Sequence, residues 1–299
     1  MKKWIETMRL TAGATRWRLP GWIAVWLLAA PAMAGARDTS AAYIEVNGVT
    51  LRYQLDGSGS DLVVLLPSTG KPLEYWDEIL PSLRRHNRRF LRYDIRGVGL
   101  SQKLTQAITM QDEVDDLAAL LDALELRGRV TMVGVAFGGS IEMQYAAQHP
   151  DRVRGIVNIS PSAQLVGRSL HTEPRTVANA PAPESDPYAF TYPAKLRTNP
   201  QRWRTYAGLE RSNDPLSKRL TEALIYSTPF ADVMPRIQCP VLMVATLQYL
   251  RRTPAEVQEL SMTLPHGDFT VLDSGHDAPF QTPELVAPVL REFFKKSGI

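Results

Sequence analysis

A single cysteine, Cys239, stands among 299 residues. One thiol forms no internal disulfide, and no zinc-ligand spacing surrounds it, so neither kind of staple holds this fold. Long apolar runs are equally scarce. The only extended one lies in residues 21–34, and its helix-forming core over 23–32 is about a dozen residues at most, short of the roughly 20 that span a bilayer. There is no internal repeat and no low-complexity tract. With 44% apolar and 22% charged residues, disorder, collagen and coiled coil are excluded. Stability must come from a packed core.

The chain also lacks a real excess of either charge. Its formal net charge of +3 comes from 34 Lys+Arg against 31 Asp+Glu. Five of those basic residues, Lys2, Lys3, Arg9, Arg16 and Arg18, and one acid, Glu6, fall in the first 34 positions. The remainder carries 29 basic and 30 acidic side chains, a net of −1. Nothing in that balance points to nucleic acid or an acidic membrane surface.

What is present begins with that leader. A basic segment, the apolar run GWIAVWLLAAPAMA from Gly21 and the small-x-small triplet Ala32-Met33-Ala34 read as a secretory signal peptide over 1–34, cleaved after Ala34. There is no twin arginine and no cysteine for lipid attachment. The expectation is an exported protein, periplasmic or secreted, with no stable membrane anchor after cleavage.

From Tyr43 onward β-rich runs alternate with helical periods, which predicts an α/β fold. Asn47-Gly48 supplies a tight turn between two alternating segments from Tyr43. LVVLL from Leu62, FLRYD from Phe90, VTMVGV from Val130, RGIVNIS from Arg154, VLMVA from Val241 and FTVL from Phe269 read as strands. Helices are expected where Val114, Leu117, Leu120, Leu121 and Leu124 recur at helical spacing, from about Gly139 to Gln148, around Val257, Leu260 and Leu264, and finally around Leu285, Val289 and Phe293. The alternation breaks over about 165–228, where six prolines precede helical stretches. That segment reads as an inserted cap in a single domain over 35–299.

Four segments then carry a resemblance: LLPSTG from Leu65, YDIRGVGLS from Tyr93, VGVAFGG from Val133 and SGHDAPFQTPELV from Ser274. In this order they resemble the α/β-hydrolase superfamily, with a layout most like 3-oxoadipate enol-lactonases and small carboxylesterases. The resemblance implies a mostly parallel central sheet flanked by helices, with an inserted helical cap. It implies that VGVAFGG is the nucleophile elbow G-x-S-x-G, that His276 is the base, and that the region of Ser68, Thr69 and Phe137 forms the oxyanion hole.

Two departures matter more than the match. Ala136 stands at the nucleophile position, and a methyl group cannot form an acyl-enzyme. After VLMVA the family expects an Asp; Tyr249 stands there when aligned from the strand and Leu250 when aligned from Thr253-Pro254, and residues 248–252 hold no carboxylate. The loop from Asn158 offers none either, so His276 is expected to be an orphan base. A Ser-to-Ala change introduced to trap substrate accounts for Ala136 and not for the missing acid, which points to natural loss of both.

No other residue takes over on this reading. Ser140 is expected to pack beneath the elbow, and Asp94 to hold its own loop together. Ser68 and Thr69 face the pocket as donors rather than nucleophiles. His149 and Asp151 end a helix, while His86, His171 and His266 show no ligand spacing. YAFTY from Tyr188 and RWRTY from Arg202 either line the pocket or close the cap's own core. The expected function is a non-hydrolytic pseudoenzyme binding a small apolar or carboxylated molecule, or a protein partner. The alternative is an active ester or lactone hydrolase, or a lyase or isomerase, using His276 and the oxyanion hole. No cofactor is expected.

Overall fold

The computed structural model describes residues 40–85, 87–162, 186, 188–228, 230, 232–249 and 251–298. The leader, the first part of the expected cap, Leu250, His86 and His171 lie outside the described residues.

Eight strands form one sheet in the order β1-β2-β4-β3-β5-β6-β7-β8. The opening hairpin pairs β1 (Ala42–Val46) with β2 (Val49–Gly57) antiparallel, and its turn places Asn47 at φ 48° and Gly48 at φ 74°. Two positive φ values match the right-handed twist of the strands, as the Asn-Gly pair predicted. β2 runs antiparallel to β4 (Arg88–Tyr93); β3 (Asp61–Leu66), β5 (Val130–Val135), β6 (Val153–Ile159), β7 (Val241–Thr246) and β8 (Gly267–Leu272) continue parallel.

The central strands are buried on both faces, so they read as continuous apolar runs instead of alternating ones. Leu62, Val64 and Leu66 of β3 join a core under α2 (Met110–Ala123) and α3 (Phe137–Gln148). Val63 and Leu65 point the other way, into a core shared with α1 (Leu80–Leu83) and the last helix. Period-two alternation thus survives, with both faces covered. Helix α2 starts on a capping box, with Thr109 accepting from the Asp112 amide and Asp112 reaching back.

Between β6 and β7 lie α4 (Pro200–Arg211) and α5 (Pro215–Ser227), capped by Asn199 and Asp214 with proline at the first helical position of each. Downstream come α6 (Pro254–Met262), α7 (Ala278–Gln281) and α8 (Pro283–Lys296). The buried face of α8 is Val286, Leu290, Phe293 and Phe294, and Leu285 is 40% exposed. The spacing puts Leu285, Val289 and Phe293 on that stripe; Phe293 is buried and Val289 packs half-buried on the core, whereas Leu285 faces solvent. Cys239 is buried, and burial pushes its thiol up to about 12. Among the described residues no helix is long and apolar enough to cross a membrane.

Helix α3 carries one costly group. Glu142 is fully buried and neither carboxylate oxygen has a hydrogen-bond partner. Burial holds its pKa well above the ordinary 4.5. A raised folded pKa means the native state binds the proton more tightly than the unfolded chain. Its stabilising contribution is therefore complete below pH 4.5 and is lost as pH rises through the folded value. Glu142→Gln, which keeps a buried polar group but cannot ionise, is expected to raise stability by about 1–3 kcal/mol at pH 7.5, where ionisation of Glu142 favours the unfolded chain, and to change little at pH 4. Denaturant titrations of both proteins at the two pH values check this; an equal effect at both would contradict the burial argument.

Candidate functional site

The six parallel strands β3 to β8 end on one edge of the sheet, and the loops that leave five of them meet at one cavity. Ser68 and Thr69 follow β3, Ala136 follows β5, Ser162 follows β6, Tyr249 follows β7 and His276 follows β8. All six line a cavity of about 430 Å³. α4 and α5 close part of its wall with Glu210, Lys218, Glu222 and Ile225.

The elbow is intact as backbone. Ala136 sits at φ 49°, ψ −105°, a region costly for any residue with a Cβ. Its amide donates to Ile159 O at 3.0 Å and its carbonyl accepts from the Ser140 amide at 3.0 Å, tying strand to helix. A Cβ on Gly138 would stand 2.3 Å from Leu66 O, and one on Gly134 would stand 2.5 Å from the Gly139 amide nitrogen. Both flanking glycines are sterically required. The sequence reading started this helix near Gly139; it starts at Phe137, directly after the elbow. Phe137 contributes only main chain here, because its ring is buried in the core beneath α2 and α3.

His276 is 8% exposed, and its Nε2 lies 3.1 Å from Ser68 Oγ. Its Nδ1 is buried with no hydrogen-bond partner among the described groups. Where the family acid was sought, the Tyr249 ring packs on the imidazole instead, 4.3 Å between centroids at 34°. Burial is the main force holding the His276 pKa below its ordinary value, with Lys71 and Arg251 adding to it and Asp277 opposing it.

Asp277 follows His276 in the chain yet serves other partners. The Tyr206 hydroxyl donates to Asp277 Oδ2 at 2.6 Å. Lys71 Nζ pairs with Glu210, lies 3.9 Å from Asp277 Oδ2 and sits 4.8 Å over the Tyr206 ring. The sequence reading missed this cluster. Lys71 stands one residue beyond LLPSTG and Asp277 one beyond His276, but nothing local announced that α4 brings Glu210 and Tyr206 to them. Burial and then Asp277 push the Tyr206 phenol well above its usual range.

The remaining candidates have structural partners. Ser140 Oγ bonds Ser162 Oγ at 2.9 Å beneath the elbow. Asp94 accepts from the amides of Leu73 at 2.7 Å and Leu100 at 2.8 Å and pairs with Arg52 at 3.3 Å, which holds its loop as expected. His149 packs on Tyr145 at 4.5 Å. The two aromatic stretches divide their work. Tyr188 and Phe190 line the cavity, whereas Tyr192, Trp203 and Tyr206 pack on one another at 4.9–6.1 Å.

The family model of the alpha/beta hydrolase fold matches residues 61–204. The chain has the α/β-hydrolase fold. Among curated α/β-hydrolase relatives, it is 31% identical over 125 residues to a cis-3-alkyl-4-alkyloxetan-2-one decarboxylase of Shewanella oneidensis, covering 40% of this chain and 38% of that one. It is 37% identical over 105 residues to a 2-hydroxy-6-oxo-2,4-heptadienoate hydrolase of Pseudomonas putida, covering 34% and 37%. These matches span little more than a third of each relative. The enol-lactonase of Burkholderia xenovorans superposes with a TM-score of 0.71 at 22% identity, covering 85% of this chain and all of that one, a likeness of fold.

The α/β-hydrolase fold thus carries here a buried cation whose removal would leave Asp277 with the Tyr206 hydroxyl and Glu210 with the more distant Lys218. The Lys71 side chain is 3% exposed, that of Glu210 16% and that of Asp277 1%. Breaking a buried pair from one side costs about 3–5 kcal/mol. Lys71→Met is expected to lower unfolding free energy by about 3 kcal/mol at pH 7 in urea titration. A loss under about 1 kcal/mol would mean the cluster is solvent-screened.

Proposed function

We propose that this chain binds a small molecule in the cavity at the strand ends and does not hydrolyse it through the family's elbow. The observation that carries the reading is Ala136. The elbow backbone is held at its strained φ, yet it presents a methyl group, and the Tyr249 ring packs on the face of His276. Main-chain donors do not depend on the absent serine. The Thr69 and Phe137 amides are the proposed donors to a carbonyl or carboxylate oxygen of the ligand.

The cavity wall refines the ligand. Lys71, Lys218 and Arg251 face it together with Glu210, Glu222 and Asp277, so an ionic wall of both signs surrounds the ligand. A purely apolar molecule would leave those groups desolvated and unmatched. A polar or carboxylated molecule suits them. In this reading α4 and α5 belong to the cap, and the leader over 1–34 exports the protein.

An active enzyme is the second reading, and His276 supports it by retaining a hydroxyl partner at 3.1 Å. Steady-state assays of the purified protein with p-nitrophenyl esters and enol lactones, with His276→Ala as control, separate the two. Equal background rates are expected. Turnover lost in the control would sink the binding-only reading.

A further inference from the structure

We propose that Ser68 is a nucleophile, activated by His276, which would make the loop after β3 and not the elbow the reactive point of the cavity. The geometry is that of a nucleophile and its base. Ser68 Oγ and His276 Nε2 are 3.1 Å apart, Ser68 is 3% exposed, and both side chains line the cavity. With its proton on Nδ1, the imidazole accepts from Oγ, the sense that deprotonation requires. Burial keeps the ring neutral at pH 7 and so able to take the proton.

Rigid surroundings hold the hydroxyl there. The Ser68 carbonyl accepts from the Lys71 amide at 3.0 Å, closing a turn in which Gly70 takes φ 70°. The residue before it touches the start of α3: a Cβ on Gly138 would lie 2.6 Å from Pro67 O. Ser68 therefore stands beside the N-terminus of a twelve-residue helix, whose dipole favours negative charge on an oxygen in the same space. The methyl of Ala136 removes the competing hydroxyl, leaving His276 with Ser68 as its hydroxyl partner.

The substrate class is an activated carbonyl, a strained lactone or an ester with a good leaving group, because among the described residues no carboxylate orients His276 Nδ1. Oγ attacks the carbonyl carbon, its proton passes to Nε2, and the carbonyl π pair moves onto oxygen. Collapse breaks the ester C–O bond, and the departing alkoxide takes the proton from Nε2. The products are acyl-Ser68 and an alcohol, the latter still tethered when the substrate is a lactone.

This goes beyond the binding reading and is tested apart from it. An alkyl fluorophosphonate, which forms an Oγ–P bond as fluoride leaves, is incubated with the full protein and the adduct located by tandem mass spectrometry. One phosphonyl group per chain on Ser68 is expected, absent in Ser68→Ala and formed at least tenfold more slowly in His276→Ala, with circular dichroism unchanged. No adduct, or an adduct at another residue, overturns the proposal; locating the adduct in the unaltered protein needs no variant to fold. Absent ester turnover with Ser68 labelled keeps both readings. Turnover abolished by Ser68→Ala removes the binding-only reading and keeps this one.

Discussion

The close approach of α3 to the end of β3 is the constraint on which the site depends. No side chain fits between Gly138 and the Leu66 carbonyl, or between Gly134 and the helix start, so the chain must turn at residue 136 with a positive φ. A residue with a Cβ pays for that conformation, and only the surrounding lattice of strand and helix hydrogen bonds holds it. The turn persists although the group it serves in the superfamily is gone. It still brings the helix N-terminus, the β3 loop and the β8 loop to one cavity, because those are backbone consequences of sheet order and of two glycines.

Much of this was legible in the residues. The opening hairpin could be placed from its Asn47-Gly48 turn, and the central strands with the helices on either side of VTMVGV because buried parallel strands are written as unbroken apolar runs with turn residues between them. Ala136 and His276 were found because VGVAFGG and SGHDAPFQTPELV resemble the elbow and the histidine loop of the α/β-hydrolase superfamily. Counting left the acid's position to either Tyr249 or Leu250, neither of them a carboxylate; the Tyr249 ring lies against the imidazole.

What stayed hidden were contacts between segments far apart in the chain. Lys71 and Glu210 are separated by 139 residues, and Ser68 and His276 by 208. A pattern of residue types says that Lys71 is charged, not that it is buried between two carboxylates. The same limit covers Leu285: the period of α8 was legible, but which residue of each turn faces the core depends on packing against distant segments. Ser68 and His276 were each visible as site residues while their pairing was not.

The buried thiol of Cys239 closes the account of how the chain is protected. With its pKa pushed to about 12, the thiolate fraction at pH 7 is on the order of 10⁻⁵, and thiol–disulfide exchange proceeds only through that form. An accessible lone cysteine ordinarily invites covalent pairing with a second chain. Here the sulfur is buried in the apolar core, which slows the reaction of the folded protein with oxidants and disulfides. Redox inertness comes from packing alone, without removing the residue.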